Sequence, residues 1–161
     1  IYSKRMSMEI KLCSKADFDQ IIENIVDFWG SERTLHLHHP IFLYEFGNSA
    51  FVIKNEEQVI AYLLGLLSQT SAIGYVHLVA VHQSHQGQGL GYQLYKHFFD
   101  FAKEQGCKSI KAITTVTNKR SIAFHKQRGM MLIGEPNAEG LPIVKDYGGL
   151  GNHRVVFQYY L

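Results

Sequence analysis

The stretch VAVHQSHQGQGLGYQLY, residues 79–95, places Gly87, Gly89 and Gly91 between an apolar run and a helical pattern. Glycine weakens both strands and helices, so three glycines at such a junction must serve another purpose. Without side chains, backbone amides can approach an anion closely, and the positive end of the helix dipole attracts it. The stretch therefore predicts a strand, a loop that binds a diphosphate, and a helix. The simpler alternative is an ordinary tight turn, for which one glycine suffices.

Two better-known phosphate-binding motifs do not fit this stretch. The dinucleotide fingerprint G-x-G-x-x-G requires glycine at position 92, where the chain has Tyr92. The nucleoside-triphosphate loop requires Gly-Lys-Ser/Thr before the helix, and GLGYQ, residues 89–93, lacks it. What remains is a short loop whose amides surround a diphosphate at the start of the following helix.

Composition limits the class of protein and its partners. The 161 residues include 46% hydrophobic and 19% charged residues, which suits a single domain over residues 1–161. The formal net charge is only +2 and no long basic run occurs, which argues against nucleic acid or an anionic membrane as a partner. Cys13 and Cys107 match no metal spacing, so we expect two reduced thiols in a cytoplasmic protein.

The first residues carry no targeting signal. IYSKRMSMEIKLC, residues 1–13, lacks the apolar core of a signal peptide, and no stretch of the chain is long and apolar enough to span a membrane. Met6 and Met8 are candidate start residues. We therefore expect residues 1–7 to be a disordered N-terminal extension or a remnant of the expressed sequence.

Hydrophobic periodicity predicts alternating strands and helices. Ser14 and Asp17 form a capping-box pattern at the start of a helix that runs to Trp29 and stops at Gly30. A short helix follows Pro40. The predicted strands are residues 8–13, 49–55, 58–68, 72–81, 109–116, 130–135 and 153–161, and two further helices cover 90–102 and 118–128. In the last helix we expect Ile122, Ala123 and Phe124 to face inward. This order predicts an α/β protein with a mixed sheet and helices on both faces.

Two segments resemble the GCN5-related N-acetyltransferase (GNAT) superfamily. Gln86-Gly87-Gln88-Gly89-Leu90-Gly91 resembles its Gln/Arg-x-x-Gly-x-Gly/Ala signature, between the strand and the helix where that family has it. NKRSIAFHKQRGM, residues 118–130, resembles its Asn-x-x-Ala-x-x-Phe-Tyr-x-x-x-Gly-Phe segment, and the element order agrees over nearly the whole chain. The resemblance implies a mostly antiparallel mixed sheet that splays between strand 4, residues 72–81, and strand 5, residues 109–116.

The resemblance also implies acetyl-CoA as the acyl donor and assigns residues to it. The main chain of Val79 and Val81 would bond the pantetheine arm, and the N–H of Val79 or Ala80 would stabilise the thioester oxygen. Asn118 would bond the pantetheine and Phe124 would pack beside it. The diphosphate would be held by the amides of Gln86, Gly87, Gln88, Gly89, Leu90 and Gly91.

The implied activity is N-acetyl transfer to a primary amine by direct attack in a ternary complex. We expect a small-molecule acceptor first and a peptide or protein amine second. Neither cysteine lies in either motif, so an acetyl-cysteine intermediate has no support. One alternative is a non-catalytic module of the same fold that binds or senses acyl-CoA, and a longer acyl group is another. A nucleic-acid-binding domain is disfavoured by the low charge. The fold often pairs, which leaves a homodimer open.

Two histidines are the candidate catalytic residues. At position 125 the family commonly has a tyrosine that protonates the leaving sulfur, and this chain has His125. His125 either replaces that tyrosine as general acid or thiolate partner, or merely fills its space. Strand alternation puts Tyr75, His77, Val79 and Val81 on one face. His77, in a stretch that resembles arylalkylamine acetyltransferases, is the candidate base, and the alternative is a half-buried histidine bonded to a neighbour.

Glu45 is the reserve base, although a surface carboxylate is the simpler explanation of it. The pattern His36-x-His38-His39 offers two metal ligands but no nearby carboxylate or cysteine, so we expect no metal.

The resemblance also suggests which segments border the acceptor. One wall would include Phe28, Trp29, His36 and Tyr44, although the aromatic residues fit a core equally well. The other wall would be the loop at 135–153, where Asp146 and Tyr147 offer polar contacts to a cationic amine. Lys111, Lys119, Arg120 and Arg128 are most simply solvated charges, and one of them could contact the 3′-phosphate of coenzyme A.

Overall fold

The computed structural model describes residues 8–161, so the predicted extension at residues 1–7 lies outside it. The predicted elements are present in the predicted order. The helices are α1 (Lys15–Glu23), α2 (Ile25–Trp29), α3 (Ile41–Tyr44), α4 (Leu90–Glu104) and α5 (Lys119–Gln127). The strands are β1 (Ile10–Leu12), β2 (Ala50–Asn55), β3 (Gln58–Leu67), β4 (Ile73–Val81), β5 (Ser109–Thr115), β6 (Met131–Ile133), β7 (Glu135–Pro136), β8 (Pro142–Ile143) and β9 (Arg154–Tyr160).

The main sheet is mixed, which confirms the predicted fold class. Its seven strands follow the order β1-β2-β3-β4-β5-β9-β6. The pairs β1–β2, β2–β3, β5–β9 and β6–β9 are antiparallel, whereas β4 and β5 are parallel. The β4–β5 ladder joins Ile73–Val76 to residues 109–112 and ends there, while β5 stays paired with β9 to Thr115. The small β7–β8 sheet was not predicted, because two-residue strands show no alternation.

The chain forms two compact units. The first comprises the described residues up to Leu66 together with Leu78–Phe101, and the second comprises Leu67–His77 with Ala102–Leu161. In the first unit, Phe18, Ile21 and Phe28 of α1 and α2 pack with Val52 and Tyr62 of β2 and β3. On the opposite face of β2, Phe51 lies edge-on against His97 and Phe101 of α4, with centroid distances of 4.7 and 5.7 Å. Helices therefore cover both faces of these strands.

The first helix begins as predicted but ends early. The Ser14 hydroxyl accepts a hydrogen bond from the Asp17 amide (3.1 Å), and the Asp17 carboxylate accepts one from the Ser14 amide (3.0 Å). The expected single helix to Trp29 is interrupted at Asn24, whose side-chain amide donates to the Gln20 carbonyl (2.9 Å). An asparagine that competes for the backbone in this way favours a helix end. Gly30, with φ +75°, terminates α2 as predicted.

Candidate functional site

The loop between β4 and α4 requires glycine at two positions. Gly87 and Gly89 have φ of +79° and +77°, the left-handed region that other residues rarely adopt. A Cβ atom placed on either glycine would meet no protein atom within 4 Å. The glycines are therefore needed for the backbone conformation, and the space beside them is open to a ligand.

The same loop presents unpaired amides at the start of a helix. Within residues 8–161, the amides of Gly87, Gln88 and Gly89 bond no acceptor. They precede the 15-residue helix α4, whose first amides lack intrahelical partners and carry its positive end. The Gln86 side chain donates to the Val81 carbonyl (3.3 Å), which ties the loop to the last residue of β4. Unpaired amides at the start of a helix are a geometry that can bind an anion.

Polar side chains support the segment that leads into this loop. The hydroxyl of Ser84 lies 2.7 Å from Nδ1 of both His82 and His85. On the other side of the His82 ring, Nε2 lies 3.8 Å from the Asp27 carboxylate of α2. No spacing in the sequence indicates this contact, because Asp27 is distant from His82 in the chain. This contact places the start of the loop beside the helical layer of the first unit.

The alternation predicted for β4 is confirmed. Gly74, Val76, Leu78 and Ala80 are buried, whereas the intervening residues Ile73, Tyr75, His77, Val79 and Val81 are half-buried. Leu78 and Ala80 join the core with α1 and α2, so Val79 and Val81 point away from that core. The stretch 79–81 lies beyond the last β4–β5 pair.

A buried hydrogen-bond chain occupies the region predicted as an acceptor wall. The Trp29 indole N–H donates to the Tyr62 hydroxyl (2.7 Å), and that hydroxyl donates to Nε2 of His38 (2.7 Å). His38 Nδ1–H in turn donates to the Thr34 carbonyl (2.8 Å). Since an indole can only donate and a carbonyl can only accept, these contacts fit an imidazole with its proton on Nδ1 and its Nε2 lone pair facing the Tyr62 hydroxyl. Burial raises the pKa of Tyr62, so its proton stays on the hydroxyl.

The hydrogen-bond chain through Tyr62 predicts that Tyr62→Phe lowers the stability of the protein. The substitution removes the acceptor of Trp29 and the donor to His38, so we expect the free energy of unfolding to fall by about 2 kcal/mol. Urea denaturation at neutral pH measures the loss. Tyr160→Phe is the control, because Tyr160 is 64% exposed and should change stability little. A loss below about 0.5 kcal/mol for Tyr62→Phe would show that these hydrogen bonds do not contribute to stability.

The other residues of that region are spread over core and surface. Phe28 packs edge-on against Tyr62 at 5.0 Å, whereas His36, Tyr44 and Glu45 are exposed. His39 Nδ1 accepts from the Ile41 amide (3.1 Å), so the three clustered histidines have separate surroundings. Among the described residues, no group of three or more His, Cys, Asp or Glu side chains could hold a metal ion.

In the second unit, Tyr75 and His77 form a contact pair. The Tyr75 hydroxyl lies 3.2 Å from His77 Nδ1, and the ring centroids are 5.8 Å apart. Burial is the main cause that raises the pKa of Tyr75, so the hydroxyl is protonated. Either the hydroxyl donates to Nδ1, or Nδ1–H donates to the hydroxyl oxygen and leaves the lone pair on Nε2. The predicted side chains 75 and 77 are thus on one face, and Tyr75 orients the His77 ring.

His125 is buried against the sheet by its helix. Its Nδ1–H donates to the Ser121 carbonyl one turn earlier (2.7 Å), and its ring stacks on Phe157 of β9 at 4.2 Å and 7°. Burial lowers the pKa of His125 to about 4, against the opposing effect of the Ser121 hydrogen bond. The ring is therefore neutral at physiological pH, with its proton on Nδ1 and its acceptor site at Nε2. The prediction that Ala123 faces inward is wrong, because this stacking turns Ile122 and His125 inward and leaves Ala123 exposed.

In the second unit the two candidate catalytic histidines lie on opposite faces of the sheet. His77 is on strand β4, and His125 packs from helix α5 against the other face. Strand register aligns Tyr75 with Lys111 and Gln158, whose side chains share one face with His77. Phe157, on which His125 stacks, is next to Gln158 in β9 and points to the other face. The sequence could not predict this separation, because it depends on the register of β9.

The remaining predicted contacts of the cofactor surround α5. Asn118 caps the helix, since its side-chain oxygen accepts from the Ser121 amide (3.1 Å), and its amide NH₂ is the group left to donate. Phe124 is half-buried, with its ring 5.3 Å from that of His125 and 5.2 Å from the Arg128 guanidinium carbon. Of the predicted surface cations, Lys119 and Arg120 are exposed and Lys111 is half-buried.

The loop after β8 is stabilised by its own polar groups. Asp146 has φ +58°, its amide donates to His153 Nδ1 (3.0 Å) and its carboxylate accepts from the Gly151 amide (2.7 Å). One carboxylate oxygen of Asp146 is thus used to hold the loop. Tyr147 is 40% exposed beside it.

Cys13 and Cys107 are free thiols, and burial raises the pKa of Cys13 to about 12. Burial also raises the pKa of Cys107, so neither thiol is activated as a nucleophile.

Comparison with known families identifies the chain. The model described as the acetyltransferase (GNAT) family matches residues 18–130. The chain therefore belongs to the GNAT acetyltransferase family, as the glycine loop and the segment at 118–130 predict. No curated protein matches it in sequence. Among the described residues, no helix combines the length and apolar character needed to cross a membrane.

Solved structures with the same fold cover nearly the whole chain. Ard1 from Thermoplasma volcanium is 16% identical with a TM-score of 0.76, over 95% of this chain and 97% of its own. Naa20 from Chaetomium thermophilum, solved with a bisubstrate analogue, is 15% identical with a TM-score of 0.71, over 95% and 86%. The NatC complex bound to Gag peptide and CoA contains a chain 14% identical with a TM-score of 0.72, over 95% and 98%. These similarities establish the fold.

Proposed function

We propose that the protein transfers the acetyl group of acetyl-CoA to a primary amine on a small molecule, by direct attack in a ternary complex. The observation that carries this proposal is the loop at 86–91. Its two left-handed glycines, the unpaired amides of residues 87–89 and the adjoining helix start supply what a diphosphate needs. A structural neighbour, the NatC complex, was solved with CoA, which supports coenzyme A as the ligand of this fold.

We propose His77 as the base of the reaction. An alkylammonium has no lone pair for attack, so its proton must leave first. With Nδ1–H donating to the Tyr75 hydroxyl, Nε2 of His77 can accept that proton. The amine nitrogen then forms a bond to the thioester carbonyl carbon and the carbon–sulfur bond breaks. The N–H of Val79 or Ala80 stabilises the oxygen during attack, and the thiolate of coenzyme A takes a proton from solvent or from the imidazolium.

Of the two roles open for His125, its surroundings favour packing. A general acid at Nε2 would have to be an imidazolium, because the neutral ring holds its proton on Nδ1. With a pKa of about 4, only about one ring in a thousand is protonated at neutral pH. We therefore propose that His125 supports Phe124 and the start of α5, which present Asn118 and Phe124 to the pantetheine.

A thermal-shift screen followed by an amine panel tests the proposed function. Acetyl-CoA at a hundredfold excess over Kd should stabilise the protein by about 2.7 kcal/mol, which appears as a clear rise in Tm. Release of free thiol with an amine, but not without one, would then demonstrate transfer. Tight binding of acetyl-CoA with no acetylated product from any amine would instead favour the non-catalytic acyl-CoA-binding module.

His77→Ala tests the base directly. We expect kcat/KM at neutral pH to fall about 100-fold, because general base catalysis contributes at least that much, while the Kd of acetyl-CoA stays constant. The acidic limb of the pH–rate profile should disappear in the variant. His97→Gln, an exposed histidine on α4, is the control. An unchanged pH profile in His77→Ala would rule out this role for His77.

A further inference from the structure

The sheet face that carries Tyr75 and His77 has a definite charge. Register places Lys111 and Gln158 beside Tyr75, and Arg154, which pairs with Thr115, farther along the same face. On β4, β5 and β9 the side chains of this face are those of Ile73, Tyr75, His77, Ser109, Lys111, Ile113, Thr115, Arg154, Val156, Gln158 and Tyr160, and β6 adds Met131 and Ile133. Its only permanently charged members, Lys111 and Arg154, are both positive.

The Arg154 guanidinium is held in place by neighbouring groups and keeps N–H donors for a ligand. It is half-buried, and its Nη1 donates to the His153 carbonyl (2.9 Å). Its guanidinium lies against Gly148, where a Cβ atom would come within 2.8 Å of Cζ and 2.9 Å of Nη2. Within residues 8–161 it forms no ion pair with a carboxylate. Since a guanidinium has five N–H donors, most of them remain for a ligand.

The Arg154 guanidinium and His77, the candidate base, both lie near the Tyr75 hydroxyl. Burial and the nearby Tyr147 raise the pKa of Tyr75. The positive charge of Arg154 acts on the same hydroxyl in the opposite direction and lowers its pKa. The same hydroxyl contacts His77 at 3.2 Å. A ligand on this face can therefore meet a fixed cation at one end and the imidazole at the other.

We propose that the acceptor is an amine that also carries a carboxylate, as a free amino acid does. Arg154 binds the carboxylate, and His77 takes the proton of the amine. This inference rests on the proposed acetyltransferase function. Arginine suits the role because its planar fork binds both carboxylate oxygens at once. The amine at the N-terminus of a protein has its own carboxyl group in a peptide bond, so it lacks this partner.

Matched acceptor pairs test the inference. Thiol release is measured with phenylalanine and phenethylamine, tyrosine and tyramine, and lysine and cadaverine. We expect kcat/KM to be at least about 30-fold higher for the best carboxylated acceptor than for its decarboxylated partner. Arg154→Gln should remove this preference by lowering kcat/KM for the carboxylated acceptor alone. Gly148→Ala should also lower kcat/KM for the carboxylated acceptor alone, because the added methyl group displaces the Arg154 guanidinium. Lys103→Gln removes one exposed positive charge from α4, outside this face, and should change neither class.

Each outcome decides between the inference and the proposed function. Turnover of amines without a carboxylate preference contradicts the inference and leaves the transferase function standing. An equal loss for both acceptor classes in Arg154→Gln gives Arg154 a structural role and also contradicts it. Acetyl-CoA binding without turnover of any amine contradicts both. If Arg154→Gln fails to fold, the preference of the parent protein and the selectivity of Gly148→Ala still decide.

Discussion

Replacing Gly87 and Gly89 together by alanine is expected to weaken acetyl-CoA binding about 100-fold. Both residues have left-handed φ values, which cost a residue with a Cβ atom about 1–2 kcal/mol each. The loop would relieve this strain by changing conformation, and its amides would lose their common direction. The added methyl groups would also enter the open space where we place the diphosphate. Isothermal titration with acetyl-CoA measures the change.

A matched control separates binding from strain. Gly106 follows α4, has φ +87° and also has open space around it, so Gly106→Ala carries the same backbone penalty per substituted residue outside the loop. We expect that variant to lose stability and keep its affinity. If the double loop variant binds acetyl-CoA as tightly as the parent, the loop does not hold the cofactor.

The stability of the protein is expected to fall in acid because of His125. In the unfolded chain this imidazole has a pKa near 6.5, and in the folded protein burial lowers the pKa to about 4. Unfolding therefore takes up a proton between these values, and stability is lost as the pH falls from about 6.5 towards about 4. From pH 7 to pH 4.5 the contribution of this residue is about 2 kcal/mol.

Comparing variants isolates that contribution from those of the carboxylates. His125→Gln cannot titrate, so we expect its loss of stability between pH 7 and pH 4.5 to be about 2 kcal/mol smaller than that of the parent. Its stability at pH 7 should also be lower, because the stacking on Phe157 is lost. Equal slopes for His125→Gln and the parent would show that folding leaves the pKa of this ring unchanged, which would restore the general-acid role.

Local sequence signals predicted much of the fold. The Ser14–Asp17 capping box, the left-handed Gly30 and the strict alternation of β4 all follow from interactions within a few residues. The glycine spacing in 87–91 likewise predicted a loop before the helix, where Gly87 and Gly89 have positive φ, whereas Gly91 lies within α4. Such features depend on residues that are close together in the sequence.

Features that depend on distant residues could not be predicted. The Trp29–Tyr62–His38 chain joins residues from α2, β3 and the loop after α2, and no spacing in the sequence indicates it. The inward turn of His125 arises from Phe157, which lies on the last strand. The charge of the Tyr75 face follows from the register of β5 and β9. Alternation gives the two faces of a strand, but only pairing decides which side chains share a face.

Backbone amide shifts on titration with coenzyme A test the central claim most directly. The protein has a mass of 18.4 kDa, which suits ¹⁵N-resolved NMR. If the loop binds the diphosphate, the amides of Gly87, Gln88 and Gly89 should move strongly downfield with coenzyme A and stay in place with pantetheine, which lacks the diphosphate. Saturation with coenzyme A that leaves these three signals unmoved would contradict the account.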